Sequence, residues 1–315
     1  MMPTVSASAH DPRRAITGVG FKLFSVFCLS GMAASVKALG GAVPPGQIVF
    51  FRGLVSMVVI AGLAWHMGGF HLLTTSNWRA HAARSVAGSL SMFCWFVSLA
   101  LIPLAEMTAI SFTVPLFATL LALLFLGERI HAYRWTALAV GFAGVLVIVG
   151  PDLLNSQGAA FGKVIGLVAA VFAGFAIMFL RRMSGSEHAL TITFYFFLTS
   201  TVLAALTLPF WHWPMPTRGQ WLLLGMTGVL GVLGQLAMTW SYHYAEASLI
   251  APLDYLNLLV ATALGFYIFG EVPHVSTWIG APLVIAAGVI ILWREYRRLP
   301  RQARAEPLSA GDKVL

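Results

Sequence analysis

Asp254 lies within an apolar run, beside Tyr255 and close to Asn257, and Arg52 lies within another, directly after Phe50 and Phe51. A charge at the centre of a bilayer costs about 2.5–3.5 kcal/mol on insertion scales, so each should face a cavity or a partner. A carboxylate such as Asp254 can carry a proton for coupling or pair with a ligand amine; the structural alternative is hydrogen bonding to neighbouring helices. The guanidinium of Arg52 offers a bidentate fork to a carboxylate or phosphate. Its structural alternatives are a pair with Glu106 or snorkelling to the headgroups. At 1.5 Å per residue, Asp254 and Arg52 sit about 8 Å from opposite faces, so roughly 14 Å of depth separates them and no direct pairing is expected. Trp95, Phe96, Tyr195, Tyr242, Tyr244 and Tyr255 lie near the polar Ser111, Gln235 and Asn257. They could line a pocket for a flat or amine-bearing solute, or simply pack helices.

The elements that position these residues follow from composition. With 59% hydrophobic and 10% charged residues, the chain is far less charged than a soluble domain, where roughly 25% is usual. Apolar segments long enough to cross a bilayer follow one another at 18–38, 47–67, 83–102, 106–126, 132–150, 163–180, 190–210, 221–241, 249–269 and 276–293. The fold expected is an all-α polytopic membrane protein of ten transmembrane helices. Short turns such as Pro44-Pro45 leave no room for a soluble domain between spans.

The spans fall into two copies. Gly127-Glu128, His131 and Trp135 recur as Gly270-Glu271, His274 and Trp278 at one constant offset, and Phe112 falls opposite Tyr255. Residues 1–15 read as a cytoplasmic N-terminal segment, 16–150 as the first repeat, 159–298 as the second and 299–315 as a basic, disordered cytoplasmic tail. Arg13 and Arg14 resemble the start of a signal peptide, but the run after them is long enough to span and carries Lys22, so an uncleaved first helix is expected. Five helices per copy is odd, so the second copy enters the membrane inverted. That arrangement places a site at the midplane and suits alternating access. Ser111 and Thr113 then face Asp254 and Leu256 as unlike counterparts, an asymmetry that an asymmetric solute requires.

The net charge of +8 does not point to nucleic acid. Placing both termini in the cytoplasm leaves only Lys37, Arg52, Lys163 and Arg218 on or toward the outer side, so the positive-inside rule selects that topology in the inner membrane. Lys37 reads as an interfacial anchor, and Trp211, Trp213, Trp221 and Trp293 as an aromatic belt. Glycines such as Gly144, Gly231 and Gly288 read as close-packing positions. Cys28 and Cys94 are too few for a disulfide framework, and the nine His show no metal-ligand spacing, so no metal and no cofactor is predicted.

Thr-Val-Pro-Leu at 113–116, Leu-Gly-Glu-Arg at 126–129, Trp135 and 141–149, with Ala251-Pro252, Tyr255 and Phe-Gly-Glu at 269–271, resemble the EamA-like branch of the drug/metabolite transporter superfamily. The resemblance covers nearly the whole chain. It implies a secondary active transporter of a small organic metabolite, an amino acid or a vitamin such as riboflavin, with proton coupling or simple equilibration both open. Export of drugs or metallophore-like metabolites is the alternative within that class, and monomer and homodimer both remain open. One departure is Leu258 where the first copy has Pro115, so the kink expected in the fourth helix is absent from the ninth or displaced to Pro252. A polytopic enzyme acting on a lipid-linked substrate is the reading from another class. The chain lacks Gly-x-Ser-x-Gly, His-Glu-x-x-His and Walker A patterns, so no catalytic residue and no ATP drive is predicted. The residues expected to bind solute or couple transport are Asp254, Tyr255, Asn257, Ser111, Thr113, Arg52 and Trp95.

Overall fold

The computed structural model describes residues 12–75, 77–126, 132–155, 157–183, 187, 189–210, 212–244, 253–254 and 256–296. Among them the first repeat contributes α1 (Pro12–Leu39), α2 (Pro45–Met67), α3 (Trp78–Leu101), α4 (Leu104–Ser111), α5 (Val114–Leu126) and α6 (Ala132–Asn155). The second contributes α7 (Gln157–Met183), α8 (Ala189–Ala205), α9 (Arg218–Tyr244), α10 (Leu256–Phe269) and α11 (Val275–Tyr296). Six helical stretches are long and apolar enough to cross a membrane, with α4 and α5 counting as one, and four shorter apolar helices accompany them. The surface matches a lipid solvent. Phe27, Val58, Leu146 and Tyr267 are exposed, while Ser56, Ser85, Ser98 and Lys163 are fully buried. Backbone polar groups facing hydrocarbon must bond within their own helix, which is why every long segment here is helical.

Proline marks several boundaries. Pro45 opens α2 and Pro103 precedes α4, positions where a missing N–H leaves no intrahelical bond unmade. Pro115 has the opposite effect. The expected kink is a full break between α4 and α5, because Pro115 cannot donate to Ser111 and its ring crowds that carbonyl. The chain tightens there instead: the Thr113 N–H and hydroxyl both donate to the Ile110 carbonyl, at 2.9 and 2.7 Å. In the second repeat, Leu253 and Asp254 form a tight turn before α10. Pro252, where a displaced kink was expected, lies outside the described residues, as do Glu128 and His131.

Packing is mostly between the repeats. The first helix of each lies on the third of the other, α1 on α9 and α7 on α3, while second helices meet as α2 and α8, and fifth helices as α6 and α11. Contacts run in reverse order along these pairs. Gly46 abuts Thr207 where Gly53 abuts Thr201, and Gly141 abuts Ala287 where Gly144 abuts Gly280. Equivalent helices therefore run antiparallel, the relation an inverted repeat requires.

The α6–α11 crossing is close enough to exclude a side chain. A Cβ on Gly144 would stand 2.8 Å from the Gly280 carbonyl oxygen and 2.9 Å from Leu283 Cβ. At Gly62 a Cβ would meet nothing within 4 Å. Gly144→Val should therefore lower stability by about 1–3 kcal/mol, the usual overpacking penalty, while Gly62→Val should not. Thermal unfolding in detergent tests this, and equal melting of the two variants would contradict the close crossing.

Candidate functional site

At the end of the bundle where α4 begins, two carboxylates join the repeats. Gly270 closes α10 at φ +65°, a left-handed conformation suited to glycine, and so turns Glu271 back toward the first repeat. Glu271 Oε1 pairs with Lys37 at 2.7 Å, and its Oε2 accepts the Leu104 N–H at 3.0 Å, capping α4. Lys37 also donates to the carbonyls of Leu99 (3.2 Å) and Ile102 (2.7 Å), the negative end of α3. Lys37 is thus a clasp and not the interfacial anchor expected. Glu106 reciprocates from the first repeat: its Oε2 pairs with the fully buried Lys163 at 3.0 Å, and its Oε1 accepts the His274 N–H at 3.2 Å. The pairing expected between Arg52 and Glu106 is therefore not made, because Lys163 occupies that carboxylate.

At the opposite end, Lys22 of α1 pairs with Asp254 at 2.6 Å. The ammonium is 1% exposed and the carboxylate 38%. Each repeat's first helix thus lends a lysine to the fourth-helix region of the other.

Between these ends lie two adjoining cavities. One, of about 270 Å³, has Arg52, Arg84, Ser91, Thr193 and Gln235 as its polar lining, with Trp95, Phe96, Phe196 and Phe197. The other, of about 260 Å³, includes Ser30, Thr108, Ser111, Phe112 and Asn257. Met32 and Trp95 border both. Trp95 Nε1 donates to Ser111 Oγ at 3.0 Å, and Ser30 Oγ donates to Asn257 Oδ1 at 3.3 Å.

The residues predicted from sequence separate into three groups. Arg52, Trp95, Ser111 and Asn257 line the cavities. Thr113 is buried and bonded to its own turn, shaping the helix break, and Asp254 is engaged by Lys22. Tyr255 lies outside the described residues. Of the other aromatics, Tyr195 packs on His81 and Tyr244 stacks on Phe21. Arg84 is the charged cavity residue that sequence reading missed, along with the hydroxyls of Ser30, Ser91, Thr108 and Thr193. Starting that span at 83 put Arg84 on its edge, as an ordinary topological charge, whereas α3 starts at Trp78 and carries it inside. Among the described residues no cluster of His, Cys, Asp or Glu could hold a metal.

Two interleaved helical repeats, apolar outside and enclosing polar-lined chambers, suit a membrane transporter, and the matching family and relatives are transporters of small metabolites and not enzymes. The chain belongs to the EamA-like transporter family, whose sequence profile matches residues 16–150 and again 160–293. It is 32% identical to a pseudopaline exporter of Pseudomonas aeruginosa, over 87% of this chain and 95% of the relative. It is 28% identical to a riboflavin transporter of Rhizobium johnstonii, over 92% and 95%. To an S-adenosylmethionine uptake transporter of Rickettsia felis it is also 28% identical, over 92% and 97%. One solved crystal structure superposes with a TM-score of 0.57 at 20% identity, covering 90% of this chain and 97% of that one, which shows the fold alone.

A buried ion pair is costly to break from one side. Glu106→Gln leaves Lys163 charged and uncompensated, so stability should fall by about 3–5 kcal/mol. Adding Lys163→Met removes the orphaned charge and should recover much of that loss. Thermal unfolding of the single and double variants checks the pair, and a double variant no more stable than Glu106→Gln would refute it.

Proposed function

We propose that this chain is a secondary carrier that moves a small organic metabolite across the inner membrane by alternating access, with both termini cytoplasmic. The observation that carries the proposal is the reciprocal pairing of Lys163 with Glu106 and of Lys22 with Asp254 at opposite ends of two antiparallel repeats. An inverted repeat can exchange the conformations of its halves, so ties that close one end have counterparts that close the other. The distribution of basic residues supports an orientation with the Glu271 end outside. The described conformation then carries the Glu271 and Glu106 clasps at the outer end and the Lys22–Asp254 pair at the inner end, with the two chambers between them.

Asp254 takes a different role from the one its position in the sequence suggested. Its carboxylate already holds Lys22, so it does not wait for a substrate amine. A proton arriving at this partly exposed group removes the charge that holds Lys22, which links protonation to release of that end. Arg52, Trp95, Ser111 and Asn257 are the solute-facing residues. The relatives are named for riboflavin, for S-adenosylmethionine and for pseudopaline, which supports an organic metabolite of modest size and leaves its direction to the coupling gradient.

Reconstituted vesicles supply the test. Uptake and efflux of labelled riboflavin, S-adenosylmethionine and amino acids, with and without a pH gradient, should reveal a transported solute. In a background with Cys28→Ala and Cys94→Ala, a cleavable dithiol tether between Lys37→Cys and Glu271→Cys should stop that transport, and reductant should restore it. Transport that continues under the tether would sink the alternating-access reading. Asp254→Asn is expected to lose the response to the pH gradient.

A further inference from the structure

Among the described residues, Lys22, Lys37 and Lys163 each meet a carboxylate, and Arg52 and Arg84 do not. Arg52 is 8% exposed, and its Nε has no hydrogen-bond partner; its one hydrogen bond reaches the Met92 sulfur, a weak acceptor. Arg84 leaves both Nε and Nη1 buried and unpartnered. Both guanidiniums line the same cavity, and aromatic rings are their main contacts. Arg52 lies 5.8 Å from the Phe96 ring centroid and 5.4 Å from that of Phe197, and Arg84 lies 4.5 Å from that of Phe196. Phe196 and Phe197 are themselves 5.1 Å apart, so the two cations stand on neighbouring rings.

Cation–π contact returns about 0.5–2 kcal/mol per pair, whereas an uncompensated buried charge costs several kcal/mol. The chamber thus carries two positive charges and open donors. Close packing also keeps it in shape. A Cβ on Gly231 would stand 3.0 Å from Arg52 Nε, and one on Gly88 would stand 2.9 Å from Phe196. The chamber draws on α1, α2 and α3 of one repeat and on α8 and α9 of the other. Its charge therefore sits at the interface that alternating access would rework.

We propose that Arg52 and Arg84 together bind the transported solute through two anionic groups, carboxylate or phosphate, with its flat body against Phe96 and Phe196. The proposal rests on the carrier reading for the word transported, and on the geometry alone for the anion site. Two guanidiniums supply paired N–H donors to each acid group. The aromatic walls accept the planar part, and the solute's negative charge completes an ion balance that the protein leaves open.

Equilibrium binding separates this from the carrier reading, because it requires no transport. The full chain in phosphatidylcholine nanodiscs, which contribute no anionic lipid, is titrated calorimetrically with isophthalate, benzoate and isophthalamide, a matched dianion, monoanion and neutral diamide. Affinity should rise by about tenfold for each acid group, the factor one charge-assisted hydrogen bond supplies. Arg52→Gln and Arg84→Gln should each reduce isophthalate to the affinity of benzoate, and Arg52→Lys should retain part of the difference. The ligand-free glutamine variants should melt at or above the parent, since each loses an uncompensated charge. Equal binding of the three compounds, no detectable isophthalate binding, or glutamine variants that melt well below the parent would each overturn the proposal. Selective isophthalate binding without flux in vesicles would preserve the anion site and refute the carrier reading instead.

Discussion

An ionised group withdrawn from water must find an opposite charge or a dense set of hydrogen bonds, and that requirement organises this molecule. Lys163 is fully buried and is tolerable there because Glu106 and the Ile148 carbonyl both receive it. Glu271 uses one oxygen on Lys37 and the other on the first N–H of α4. Each carboxylate is supplied by one repeat and satisfied mainly by the other, so the charges that would be most costly alone become the links that hold the halves in register. The recurrent Gly-Glu pair gains a mechanical meaning in the second repeat, where the glycine makes the turn and the glutamate reaches across.

The helix packing repeats this reciprocity. First helices pair with third helices of the other repeat, while second and fifth helices pair with their own equivalents. Glycines let these crossings come close, as at Gly144 and Gly280. An interface built from matched but not identical surfaces has two similar ways to close. In sequence the copies differ where the first has Pro115 and the second Leu258, and where Ser111 corresponds to Asp254. One position therefore offers a hydroxyl to the chamber and its counterpart offers a carboxylate to Lys22.

Much of the architecture was legible in the chain. The apolar runs located the helices with bounds that differ by up to seven residues, and the doubled motif pointed to the two repeats that the family match shows. A kink near Pro115 was expected because proline acts on the carbonyl four residues earlier, a purely local effect, and the structure makes it a full break. Four of the seven residues chosen as solute-facing do line the cavities, since a polar side chain in a lipid-soluble helix has few other places to go. Arg84 was missed through a boundary placed five residues late. Lys37 and Glu106 were given the wrong neighbours.

The errors of pairing share one cause. Span, repeat and membrane residence depend on composition and on periodicity within a segment, and the sequence by itself determined them. Which carboxylate meets which lysine depends on how helices far apart in the chain are rotated and how closely they cross. Lys22 finds Asp254, and Lys163 takes the carboxylate that Arg52 seemed placed to use. Only the tertiary structure decided those partnerships, because an ion pair reaches only a few ångströms and depth along the bilayer does not specify lateral position.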